Sequence, residues 1–139
     1  MKTCVFCQIA SRAVPAAVVF EDEESLAFLD HRPVFPGHSL LIPKRHLDSL
    51  ADLEPPLLGK LFANARRLAL SMETGLRAEG AFVALNNRVS QSVPHVHIHV
   101  VPRTKGDGLK GFFWPRHKYR DPEHMEEVRR ALAEAMSSL

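Results

Sequence analysis

A chain of 139 residues, 45% hydrophobic and 24% charged, has the composition of one globular domain with an ordinary core. Its formal net charge is only +2 and its Lys and Arg are scattered, which argues against a surface built for nucleic acid while leaving room for a small anionic ligand. No charged, apolar and small-residue leader and no apolar run approaching about 18 residues occurs, so no membrane partner and a cytoplasmic location are expected.

Both cysteines stand in Cys4-Val5-Phe6-Cys7. In a cytosolic chain this spacing marks a metal knuckle or a redox pair more often than a structural disulfide. A redox pair wants a strand before it, and nothing apolar precedes Cys4 to make one. A zinc knuckle needs two further ligands, and histidine is the most plentiful candidate, with eight in the chain. Residues 5–11 can form a short helix and 13–16 a turn. Residues 18–21 and 25–30 are two short strands joined by Asp22-Glu23-Glu24, a hairpin that Asp30 closes ahead of Pro33. A turn over 33–37 leads to His38 and a strand at 39–42, which Pro43 ends; Lys44 and Arg45 follow as a solvated basic loop beside His46.

From Pro55 to about Met72 the residues Leu57, Leu58, Leu61, Phe62, Ala65, Leu68, Ala69 and Met72 recur at intervals of three and four. This predicts an amphipathic helix covering one face of a sheet, with Pro56 in its first turn and Gly75 near its end. A fourth strand follows at 81–86, then a polar turn over 86–90.

The fifth strand carries the chemistry. His95, His97 and His99 alternate with Val96, Ile98 and Val100, so the imidazoles line one surface and the β-branched residues form the buried face. Gln91 and Ser92 add neutral hydrogen-bonding groups, and no Asp or Glu occurs between Asn86 and Arg103. That pattern disfavours a hard, carboxylate-bound cation and suits an oxygen-rich anion such as phosphate, with imidazole as nucleophile or hydrogen-bond donor. Beyond Pro102 come a basic loop, an aromatic and basic segment at 111–119 holding the only Trp and the only Tyr, and a final helix from Asp121 or Pro122 with the stripe Met125, Val128, Leu132 and Met136. Five short strands with one long inserted helix predict an antiparallel α+β domain.

The run Gln91-x-Val93-x-His95-x-His97-x-His99-Val100-Val101-Pro102 resembles the histidine-triad (HIT) signature of nucleotide hydrolases and nucleotidyl transferases. The likeness extends in order to Cys4-x-x-Cys7, Phe28-Leu29-Asp30, the segment from Pro36-Gly37-His38 to Lys44-Arg45-His46, and Asn86. It implies a HIT catalytic domain over residues 1–105, with 106–139 an extension of the same domain, and the HIT-like fold: a five-stranded antiparallel sheet, one long covering helix and short terminal helices. It also implies a homodimer.

By the same resemblance Cys4, Cys7, His46 and His95 bind a structural zinc, and no organic cofactor is expected. The implied substrate is a nucleotide with a purine base: Asp30 accepts from the ribose, Asn86 reaches phosphate or ribose, and Phe6, Ile9, Phe20 and Phe28 wall the base. His97 is the implied nucleophile at the α-phosphorus and His99 the donor to a nonbridging oxygen, while Ser92 and Gln91 assist the leaving atom and His95 orients His97 through its carbonyl. The residue before Gln91 is commonly glycine in the family and is Ser90 here, which bears on the path of the loop. Three alternatives accompany this reading: a nucleotide-binding module with little turnover, a dinucleoside polyphosphate phosphorylase, and a metallohydrolase using the three triad histidines as ligands. Alternate residues on a flat strand converge poorly on one tetrahedral ion, which disfavours the last.

Overall fold

The computed structural model describes residues 4–110 and 115–139. Residues up to Asp107 form one compact unit and those from Gly108 onward a second. The first opens with helix α1 (Val5–Ala10) and continues through strands β1 (Val18–Glu21), β2 (Ser25–Leu29) and β3 (Ser39–Pro43), helix α2 (Pro55–Leu76), β4 (Gly80–Ala84) and β5 (Ile98–Arg103). All strand pairings are antiparallel, in the order β1-β2-β3-β5-β4. The strand that ends the histidine run is therefore not an edge. Inserted between β3 and β4, it has its backbone fixed from both sides.

Two apolar clusters cover the two faces of the sheet. On one, α2 supplies Leu57, Leu61, Ala65 and Met72 against Ala27, Leu41, Val96, Ile98 and Val100. On the other, α1 lays Phe6 and Ile9 over Leu26, Phe28, Leu40 and Ile42. Burying a side chain of the size of Leu61 or Ile98 stabilises the fold by about 1.5–3 kcal/mol, and both are fully buried. β2 and β3 are apolar almost throughout because both of their faces are covered.

The histidine row lies under cover: His95 and His97 are 0% and 4% exposed, because α1 closes over the face they share. Regular pairing begins only at Ile98, so His95 and His97 lie on the chain ahead of β5, His95 at a bend, with Val96 N–H donating to Leu47 O at 2.8 Å. Helix α2 runs on past Met72 to Leu76, with Gly75 in its last turn as expected and Arg77 taking the left-handed cap (φ 57°). Phe62 turns outward, and Asn64 occupies the buried stripe instead, donating to Asp22 and to the Ser25 hydroxyl at 2.8 and 2.9 Å.

In the second unit helix α3 (Pro122–Ser137) starts where proline suggested, with the Asp121 carboxylate accepting the His124 N–H at 2.7 Å. Of the aromatic and basic segment at 111–119, residues 111–114 lie outside the described residues. Among the described residues no helix is long and apolar enough to cross a membrane.

Candidate active site and metal centre

The three triad histidines are sent to three different partners by hydrogen bonds that fix their tautomers. His95 Nε2–H donates to Pro43 O at 2.8 Å, which turns its Nδ1 toward Cys4 Sγ (3.5 Å) and Cys7 Sγ (3.6 Å). His97 Nδ1–H donates to His95 O at 2.7 Å, leaving its Nε2 as the atom with a free lone pair. His99 Nδ1 lies 3.0 Å from His38 Nε2. Since the Val34 backbone N–H occupies His38 Nδ1 at 3.1 Å, the His38 proton sits on Nε2 and is donated to His99, whose own proton must then be on Nε2. Three imidazoles committed to three partners cannot share one ion, so the metallohydrolase alternative loses its ligand set.

His38 belongs to the family-like segment from Pro36 to His46, with no site role expected of it. It precedes β3, and the register that pairs Leu40 with His99 brings it beside the triad. Asp30 Oδ2 is 3.7 Å from His38 Nε2, while Asp30 Oδ1 accepts the Arg32 N–H at 2.9 Å. Asp30, His38 and His99 thus form a second cluster of three donor groups within 4.8 Å, held together by a hydrogen bond already made.

Burial pushes the His38 and His95 imidazoles below their usual value, and burial together with the neighbouring His97 and His38 pushes His99 down to about 4. In the unfolded chain His99 takes a proton near pH 6.5, whereas in the folded protein it waits until about pH 4. Between these values the unfolded state binds more protons, so stability falls as pH falls, by at most about 1.4 kcal/mol per pH unit for one such group. Melting temperatures from pH 7 to pH 4 are expected to decline less steeply for His99→Asn than for the natural chain. Equal slopes would show that His99 contributes nothing to the pH dependence.

Cys4, Cys7, His46 and His95 present four ligand atoms within 4.8 Å of one another. His46 Nδ1 is 3.3 Å from Cys7 Sγ, and its Nε2–H donates to Asp48 Oδ1 at 2.7 Å. A tetrahedral zinc with ordinary Zn–S and Zn–N bonds needs a sulfur-to-nitrogen edge of about 3.5 Å. The separations of 3.3, 3.5 and 3.6 Å match that edge, and both far ring nitrogens are tied to oxygen acceptors, so the donor set fits zinc. Both cysteines are free, and burial, with Cys4 beside it, holds the Cys7 thiol above its usual value until an ion displaces the proton.

Of the four residues expected to wall a base, Phe6, Ile9 and Phe28 meet in one cluster on the histidine side, Phe6 edge-on to His97 at 5.0 Å and to Phe28 at 5.5 Å. Phe20 does not join them. An irregularity in the β1 register between Val18 and Phe20 sends Val18 to the histidine side and Phe20 to the α2 side, under the Arg67 guanidinium at 4.8 Å.

The polar loop before the triad is braced rather than open. Gln91 Nε2 donates to Asp48 O at 2.6 Å and to Val93 O at 3.1 Å, and its Oε1 accepts the Arg88 N–H at 2.8 Å. Asn86 Nδ2 reaches Ser90 O at 3.2 Å, and Asn87 Oδ1 accepts the Leu50 N–H at 3.0 Å. Ser90 adopts φ 62°, the left-handed conformation that glycine takes at no steric cost, so the loop keeps its path with serine there. Ser92 is exposed. Lys44 pairs with Glu21 at 2.6 Å, and Arg45 is exposed.

A protein-family model described as the HIT domain matches residues 11–106. A solved HIT-family structure from Bacillus subtilis superposes with a TM-score of 0.83 at 32% identity, covering 96% of each chain. A zinc-bound histidine triad family protein from Mycobacterium smegmatis gives 0.75 at 38% identity over 99% of this chain and 98% of that one. The bis(5'-nucleosyl)-tetraphosphatase (asymmetrical) of Schizosaccharomyces pombe is 36% identical over 96 residues, 68% of this chain and about half (53%) of that protein.

Proposed function

Because this chain belongs to the HIT domain family, we propose that it is a histidine-dependent nucleotide hydrolase or nucleotidyl transferase acting at the α-phosphorus of nucleoside phosphoramidates, nucleotidyl adducts or dinucleoside polyphosphates. The observation that carries this reading is the tautomer pattern: His97 keeps a free Nε2 lone pair beside a His99 whose Nε2 bears a proton, their rings 5.1 Å apart. His97 Nε2 attacks phosphorus, a P–N bond forms, and the bond to the leaving group breaks. Water then attacks the nucleotidyl-imidazole, releases the nucleoside monophosphate and returns the electron pair to Nε2. His99 Nε2–H donates to a nonbridging oxygen as charge develops there; with its pKa lowered to about 4, His99 is neutral near pH 7 and acts as a hydrogen-bond donor, not as a general acid.

His95 orients the nucleophile through its carbonyl, Ser92 assists the leaving atom, and Gln91 acts by bracing the loop through Asp48 and Arg88. Asp30 Oδ2 and the Asn86 amide serve ribose and phosphate, with Phe6, Ile9 and Phe28 beside the base. Cys4, Cys7, His46 and His95 hold zinc, which when bound cross-links the chain before α1 to the nucleophile's segment. A zinc-bound structure among the relatives supports that part. Purine preference and homodimer assembly rest on the family likeness alone.

The test is release of nucleoside monophosphate from a panel of adenosine and guanosine phosphoramidates and diadenosine polyphosphates, the last included because the Schizosaccharomyces pombe relative is named as a tetraphosphatase. Release of monophosphate is the expected result and ranks the leaving groups. Binding without release from every compound would replace the enzyme by a nucleotide-binding module.

A further inference from the structure

The metal centre holds its two imidazoles in unequal ways. His95 is fully buried, edge-on to Phe6 at 5.8 Å, and its Nε2–H is received by a main-chain carbonyl. It could not turn without breaking that hydrogen bond in a fully buried setting. His46 sits in the loop after β3, exposed, with its ring edge-on to His95 at 5.0 Å. What receives its Nε2–H is the carboxylate of Asp48, at 2.7 Å.

Asp48 is itself gripped by the triad segment. Its carbonyl accepts the Gln91 amide at 2.6 Å; the preceding Leu47 carbonyl accepts the Val96 N–H at 2.8 Å; and the following Ser49 N–H is capped by Asp52 at 3.0 Å. A carboxylate that is 70% exposed is therefore carried on backbone whose position is set from both sides. As an ion pair in water such a contact would be worth little. As the acceptor behind a metal ligand it does something different: it selects the Nε2–H tautomer, sets the ring plane and raises the basicity of the Nδ1 lone pair.

We infer that Asp48 is a positioning residue for the metal, fixing His46 Nδ1 toward Cys7 so that the Cys4–Cys7–His46–His95 cluster holds zinc tightly. The inference rests on the zinc reading above. Because the contact lies on the exposed side of the loop, Asp48 serves affinity for the ion and not the stability of the metal-free fold.

Zinc dissociation constants measured by competition with a chromophoric chelator, alongside melting temperatures of the metal-free proteins, test this for the natural chain, Asp48→Ala and Asp48→Asn. Asp48→Ala is expected to weaken zinc binding about 10–100-fold. Asp48→Asn, which keeps an oxygen acceptor, should recover part of that loss, and the three metal-free forms should melt together. An unchanged constant in Asp48→Ala would overturn the inference alone. So would a loss of affinity matched by lower metal-free stability, which would mark Asp48 as an ordinary structural residue. A natural chain that binds no zinc would overturn the metal reading and this inference with it.

Discussion

His97→Ala is expected to lower the turnover number by about 10³-fold or more while leaving nucleotide affinity within about threefold. The imidazole is the one group in the proposed mechanism that bonds to phosphorus, and no neighbour can replace it: His95 Nδ1 faces two thiols and His99 Nδ1 receives the His38 proton. Affinity is kept because the groups proposed to hold ribose and phosphate, Asp30 and Asn86, are separate from the nucleophile. The substitution also removes the hydrogen bond to His95 O, at a cost of about 1 kcal/mol, so melting curves must show the variant folded at the assay temperature. Retention of more than a few percent of activity, on the scale set by nucleophile deletions, would remove His97 from its role.

Ile98→Ala is expected to cost about 3 kcal/mol, within the range of about 2–5 kcal/mol for truncating a well-packed aliphatic core residue. Ile98 is fully buried, pairs across the strands with Leu41, and belongs to the same cluster as Leu61, Val96 and Val100 beneath α2. Flanked by rigid strands, the space it leaves has little room to collapse. Urea unfolding should show a lower midpoint with an unchanged slope. Turnover should fall far less than in His97→Ala, because the hydrogen bonds that aim the imidazoles are made on the opposite face. A loss below about 1 kcal/mol would mean that the core repacks freely.

Much of this was legible in the chain. Period-two alternation identified the triad segment, period-three-and-four recurrence identified α2, and proline and aspartate marked the start of α3. What could not be read is what depends on pairing across the sheet. His38 becomes the partner of His99 through the β3–β5 register, and nothing in the order of residues announces which strand lies beside which. Phe20 leaves the expected base wall because of an irregular register in β1, which nothing in the sequence of that strand marks. The burial of the histidines depends on α1 folding back over them, and the contact of Asp48 with His46 depends on the path of the loop between them, neither of which the residue order carries.

From His95 to Val100 every odd residue serves one face of the sheet and every even residue the other, with no spare position between them. Such a segment has a reading frame. Lengthening or shortening it by a single residue would turn the valines and the isoleucine toward the thiols and the imidazoles toward α2, destroying metal centre, nucleophile and core at one stroke. Change of length is therefore kept out of this segment, and the triad can evolve by substitution only.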